Sequence, residues 1–163
     1  MLRIAVISVL GVLLASPVRA DHITVKLEVK VGKSSLRAGT ETAAVGVKEK
    51  KRNVLRVKAG ETISFAWALK NADAKKAVKD VRVHFFVVKE KELGQKTRPR
   101  LDKDVPAEDV QVVDFNPGEM ATGDLHLPID KPGPYLVRVE TYGAAVGSEG
   151  HEHFAALELL VQE

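Results

Sequence analysis

ITVKLEVKV, Ile23–Val31, sets Ile23, Val25, Leu27, Val29 and Val31 at alternate positions, with Thr24, Lys26, Glu28 and Lys30 between them. A period of two is that of a β-strand, so this stretch reads as a strand with one face in a core and the other in water. The pattern recurs along the chain. NVLRVKAGETISFAWALKN, 53–71, reads as a short strand, a turn at Ala59-Gly60 and a longer strand burying Ile63, Phe65, Trp67 and Leu69. DVRVHFFVVKEK, 80–91, turns Val81, Val83, Phe85 and Val87 to one face, while Phe86 and Val88 make the other face apolar too. VQVVDF, 110–115, is a shorter apolar piece closed by the turn Asn116-Pro117-Gly118. A strand over 119–127 follows with Ala121, Leu125 and Leu127 inward, and Asp130-Lys131-Pro132-Gly133-Pro134 breaks it. YLVRVETY and HFAALELLV are the last two strands. No stretch reads convincingly as helix, and 38–51, AGTETAAVGVKEKK, reads as a loop or an irregular edge strand. Seven to eight strands separated by turns predict a single all-β, antiparallel sandwich over residues 21–163.

The first twenty residues, MLRIAVISVLGVLLASPVRA, have a different pattern. Arg3 precedes an apolar run from Ile4 to Ala15, and Val18-Arg19-Ala20 supplies small residues where a signal peptidase cuts. The expectation is a secretory signal peptide over 1–20, with Asp21 starting the mature chain and an extracytoplasmic location, periplasmic or secreted. The apolar run is short for a membrane span, and no second candidate follows it. The chain has no cysteine, so disulfides contribute nothing to its stability.

Of 25 basic residues, Arg3 and Arg19 belong to the leader, which leaves 23 basic against 22 acidic side chains and a net charge of +1. A near-neutral, mixed surface gives little long-range attraction for nucleic acid or anionic membrane. KEKKR, 48–52, has no interleaved aromatics and reads as a solvated turn. Enzyme chemistry is the least supported class: there is no cysteine nucleophile, no Gly-x-Ser-x-Gly elbow and no phosphate-cradling glycine loop.

VKAGETISFAWALKN, VKDVRVHFFV, FNPGEMATGDLHL and KPGPYLVRVE, in that order, resemble the bacterial cell-adhesion-related (CARDB-type) immunoglobulin-like domain and its secreted relatives. The resemblance covers about residues 54–142. It implies an immunoglobulin-like sandwich and no catalytic residues, and such modules serve as adhesins, spacers and accessory domains. HEHFAALELL and the long charged stretch from Lys89 to Asp109 are not hallmarks of that family.

With that fold, the strand from Glu61 to Lys70 pairs with the N-terminal strand and with 119–127, while strands around 81–88, 135–142 and 153–161 form the second sheet. The outer face of that sheet then carries Phe86, Val88, Leu136, Tyr142, Phe154 and Leu160, ringed by charge. An apolar face of this kind is either covered by the chain itself, through 32–53 or 89–118, or meets a protein partner or a second copy. In the second case Phe86, Tyr142 and Phe154 are the expected anchors.

His151 and His153 sit two apart, so both imidazoles project from one face of a strand and suit Cu²⁺ or Zn²⁺. Two ligands do not complete a site, and Asp73 or Asp80 are candidates for a third. His153 also shares the parity of Ala155, Leu157, Leu159 and Val161, which favours a hydrogen-bonded core histidine at the polar start of the last strand over a metal ligand. The sequence therefore predicts a noncatalytic binding or structural module working through protein contacts, with a small metal-binding protein using His151 and His153 as the alternative.

Overall fold

The structure is a computed structural model that describes residues 23–43, 51–142 and 152–163. The expected signal peptide, His151 and Lys48 to Lys50 of the KEKKR turn lie outside the described residues.

Two sheets pack face to face. The first has four strands in the order β2-β1-β5-β8, with β1 Ile23–Val31, β2 Ser34–Ala38, β5 Thr62–Asn71 and β8 Met120–Pro128. The second has the order β3-β10-β9-β6-β7, with β3 Glu41–Ala43, β6 Val78–Lys89, β7 Ala107–Phe115, β9 Gly133–Tyr142 and β10 Glu152–Gln162. The tenth strand, β4 Val54–Lys58, runs parallel to the end of β10, on the side where β3 pairs with its start. The all-β sandwich expected from the period-two pattern is what the chain forms. The expected pairings of β5 with β1 and β8 are present, and β6, β9 and β10 share the second sheet as expected, with β9 between the other two.

Two details differ from the sequence reading. One pairing, β4 with β10, is parallel rather than antiparallel. β2, which carries no clear alternation, forms because Gly32 takes a positive φ of 55° and lets the chain reverse in two residues, bringing Ser34 opposite Val31.

Alternate side chains from both sheets fill the space between them. Ile23, Val25, Leu27 and Val29 meet Ile63, Phe65, Trp67 and Leu69 from one side, and Val83, Phe85, Val137, Val139, Leu157 and Leu159 from the other. Trp67 stacks on Phe85 across the sandwich, with ring centroids 4.3 Å apart and planes 6° from parallel. The indole needs space beside it, which Gly123 provides from the facing position on β8: a Cβ there would lie 2.3 Å from the ring. Tyr135, buried at the start of β9, donates its hydroxyl hydrogen to the Lys131 carbonyl at 2.8 Å, in the manner of the tyrosine corner of immunoglobulin-like sandwiches.

Candidate functional site

The outer face of the six-stranded sheet is built from three rows: Arg82, His84, Phe86 and Val88 of β6; Leu136, Arg138, Glu140 and Tyr142 of β9; Phe154, Ala156, Glu158 and Leu160 of β10. At one end these residues form a second apolar cluster of Phe86, Val88, Leu136, Phe154 and Ala156. Residues 90–106 lie over it as a strap, and Leu101 and Val105 of the strap pack on the cluster. The expectation that Phe86 and Phe154 anchor a partner is therefore corrected. They are 0% and 4% exposed, because the long charged segment between β6 and β7 supplies the apolar cover itself.

Charge holds the strap in place. Arg52, next to β4, sets Nε 3.1 Å from Glu158 Oε1 and Nη1 3.1 Å from Glu90 Oε1, and donates from Nη2 to the Gln95 carbonyl at 2.5 Å. Glu158 Oε1 also accepts from the Gly94 amide at 2.8 Å. Farther along, Arg98 Nη2 lies 2.5 Å from Glu140 Oε1 while its guanidinium covers the Phe86 ring at 4.9 Å. Arg138 lies 2.6 Å from Glu140 Oε2 and 3.8 Å over the centre of the Phe154 ring. A planar guanidinium satisfies a carboxylate at its edge and an aromatic ring at its face, which lets the buried carboxylates Glu140 and Glu158 sit on an otherwise apolar sheet. Burial raises the Glu90 carboxyl to about 7; Arg52 opposes that rise and Glu158 adds to it. At the far end of the strap, the Lys131 ammonium holds the Asp104 carboxyl below its ordinary value across 2.8 Å. Arg52 was expected to be part of a solvated turn. It is only 10% exposed, because its guanidinium meets both Glu90 and Glu158.

The strap leaves the other end of the face open. There β7 forms the margin of the sheet, pairing with β6 on one side and, among the described residues, with no strand on the other. Its outward row reads Glu108, Val110, Val112, Asp114. Val110 is 49% exposed and Val112 63% exposed. Val112 lies opposite Arg82, which in turn lies opposite the half-buried Tyr142, and the Arg82 guanidinium sits 6.0 Å over that tyrosine ring. Val110 lies opposite His84, whose Nε2 meets Glu108 Oε1 at 2.9 Å and whose Nδ1 meets Glu140 Oε1 at 3.4 Å. Of the three expected anchors, Tyr142 alone remains at the surface, and Val110 and Val112 join it without having been singled out in the sequence. The signal that could have found them is the pattern acid, valine, valine, acid at alternate positions of 108–114.

The histidine pair is not brought to the surface at its second member. His153 is fully buried on the inward row of β10, with Thr141 opposite it on β9, and the Thr141 hydroxyl donates to the His153 carbonyl at 3.3 Å. Asp73 and Asp80 are used locally. The Asp73 carboxylate accepts from the amides of Lys75 and Lys76, which lowers its pKa, and Asp80 takes a φ of 54° and donates its amide to Asp114. Among the described residues, no three His, Asp or Glu side chains gather as a metal-holding group.

The outer face of the four-stranded sheet carries a shallow saddle of about 740 Å³, with Ala66 and Ala68 as its floor and Lys26, Glu28, Arg37, Thr122 and Asp124 at its walls. Two of its wall charges already neutralise each other, Arg37 lying 2.8 Å from Glu28. That contact, with help from Lys30, holds the Glu28 carboxyl below its ordinary value. A methyl floor between self-paired charges offers a ligand little to replace its lost water, so the β7 margin, with its uncovered valines, is the better candidate.

No family model matches this chain, and no curated protein matches it. Among solved structures, the C-terminal domain of Wzt aligns over 83% of this chain and 74% of that chain, at 11% identity and a TM-score of 0.40.

Proposed function

We propose that this is an exported, noncatalytic binding module that holds a protein partner on the β7 margin of its six-stranded sheet. The observation that carries the reading is the exposure of Val110 and Val112 side by side on a strand whose far edge has no partner among the described residues. Edge strands are normally blunted by short length, charged side chains, proline, bulges or a covering segment, because an open edge is a template for another strand, and in β7 the charges, Glu108, Asp109 and Asp114, lie towards its two ends and leave the middle apolar on its outward row. β7 is nine residues long and contains neither lysine nor proline. Nearby Tyr142 and Arg82 belong to the residue types that contribute most at protein interfaces. The leader-like residues 1–20 support export, and the likeness of 54–142 to adhesion-related immunoglobulin-like modules supports a contact role.

The test is co-purification from the native cells of the tagged protein and its Val110→Lys/Val112→Lys variant, with Thr122→Lys on the opposite sheet as control. The reading requires a stoichiometric partner that survives Thr122→Lys and is lost from the double variant. A partner retained by the double variant and lost on Thr122→Lys would move the site to the saddle on the four-stranded sheet.

A further inference from the structure

We infer that the β7 margin takes its partner by strand addition, and that the added strand presents basic, apolar, apolar and basic side chains at alternate positions over seven residues. The inference rests on the binding reading above and names the chemistry of the partner. A strand laid along the open edge of β7 places its own alternate side chains beside Glu108, Val110, Val112 and Asp114. Cross-strand neighbours are the unit of sheet stabilisation, favouring opposite charges and paired β-branched residues while penalising like charges. The row is acidic at both ends and apolar in the middle, so its complement has the same order whether the added strand runs parallel or antiparallel.

A second copy of the chain is a poor occupant. Two fully overlapped antiparallel β7 strands centre on Gln111 and set Glu108 opposite Asp114 at both ends, two like-charge pairs in nine residues. The inward row adds Asp109 and no cation. Both end carboxylates have a local use that leaves them accessible. Glu108 meets His84 through one oxygen with its side chain 42% exposed, and exposed Asp114 accepts the Asp80 amide through Oδ1. They are thus held at the edge while the outer side of the strand stays open.

The experiment follows the amide resonances of the mature protein, residues 21–163, during titration with the blocked peptide Lys-Thr-Val-Thr-Val-Thr-Lys, and with the same peptide carrying Glu in place of both Lys. The expected result is shifts concentrated on β7 and an affinity about tenfold higher for the basic peptide. That preference should vanish in Glu108→Gln/Asp114→Asn, which keeps the local hydrogen-bonding shapes and so separates lost charge from lost fold. Equal binding of both peptides on β7 would overturn the basic complement and leave the margin as a binding site. Failure of every peptide to move β7 resonances would overturn strand addition, and the co-purification result would then decide whether the margin binds at all. A dimer by light scattering that dissociates in Val110→Lys/Val112→Lys would overturn the inference in favour of a second copy.

Discussion

Arg52 Nε lies 3.1 Å from Glu158 Oε1, tying the segment that leads into β4 to the outer face of β10. Through the same guanidinium it reaches Glu90 and the Gln95 carbonyl, so one side chain joins the last strand to the first turn of the strap. This contact closes the covered part of the six-stranded sheet at the Val88–Leu136 end, opposite to the open corner of Arg82, Tyr142 and Val112, and it makes Arg52 the weak point of the arrangement.

Arg52→Ala strands the buried Glu158 carboxylate and removes the anchor of Gln95. Breaking a buried pair from one side destabilises by roughly 3 kcal/mol or more, because the remaining charge keeps its desolvation penalty. An unfolding free energy lowered by that amount at pH 8, read from a lower urea midpoint, together with new binding of a hydrophobic dye where Leu101 and Val105 leave Phe86, is the expected outcome. An unchanged midpoint would mean that the strap is held by its apolar contacts alone.

Glu90 gives stability a pH dependence of unusual sign for a carboxylate. Its folded pKa of about 7 stands above the ordinary 4.5, so the folded state holds this proton more tightly than the unfolded state does. The contribution therefore favours folding below about pH 4.5, declines as pH rises towards 7 and is fully unfavourable above it. Glu90→Gln, which keeps the shape without the charge, should flatten the stability curve between pH 5 and 7. It should raise stability at pH 8 by about 2 kcal/mol after allowance for solvent screening. Parallel urea curves of the two proteins at pH 5 and pH 8 check both parts.

Gly123→Ala pushes a methyl against the Trp67 indole, whose ring atoms lie 2.3 to 2.7 Å from the new Cβ, and Trp67 is already stacked on Phe85. With no room to retreat, overpacking of this kind costs about 1 to 3 kcal/mol. The change is visible as a lower denaturation midpoint with an altered fluorescence of this one tryptophan.

Phe86→Ala and Phe154→Ala should behave as core substitutions, each losing about 3 to 5 kcal/mol of stability. Tyr142→Ala should leave stability nearly intact and weaken partner binding, since the ring is half exposed beside Val112 and Arg82. Stability and co-purification measured on the same three variants separate the roles. Stable Phe86→Ala protein lacking its partner would restore Phe86 as a surface anchor.

The sandwich was legible because β1 and β5 alternate strictly, which fixes the side chains that face the core, and because β6, β9 and β10 keep one continuous apolar row while their second face is apolar only in part. The same parity placed His153 on the inward row. What the sequence left open depends on contacts between distant residues. The Arg52–Glu90 pair spans 38 positions and the Gly94–Glu158 contact 64, and no local period marks either, so the residues covering Phe86 could be named only as two alternative segments. VQVV was ambiguous for another reason: Val110 and Val112 on one face and Val113 and Phe115 on the other are all apolar. The exposed pair is decided by the position of β7 at the margin of the sheet, beyond the reach of the strap.

The most direct measurement installs a photo-crosslinking side chain at position 112, and in a parallel protein at position 122 on the opposite sheet, and irradiates living cells. A partner held on the β7 margin gives one discrete adduct at 112 and none at 122, and the 112 adduct disappears when Tyr142→Ala is added. An adduct at 122 with none at 112 would contradict the assignment and put the working surface on the four-stranded sheet.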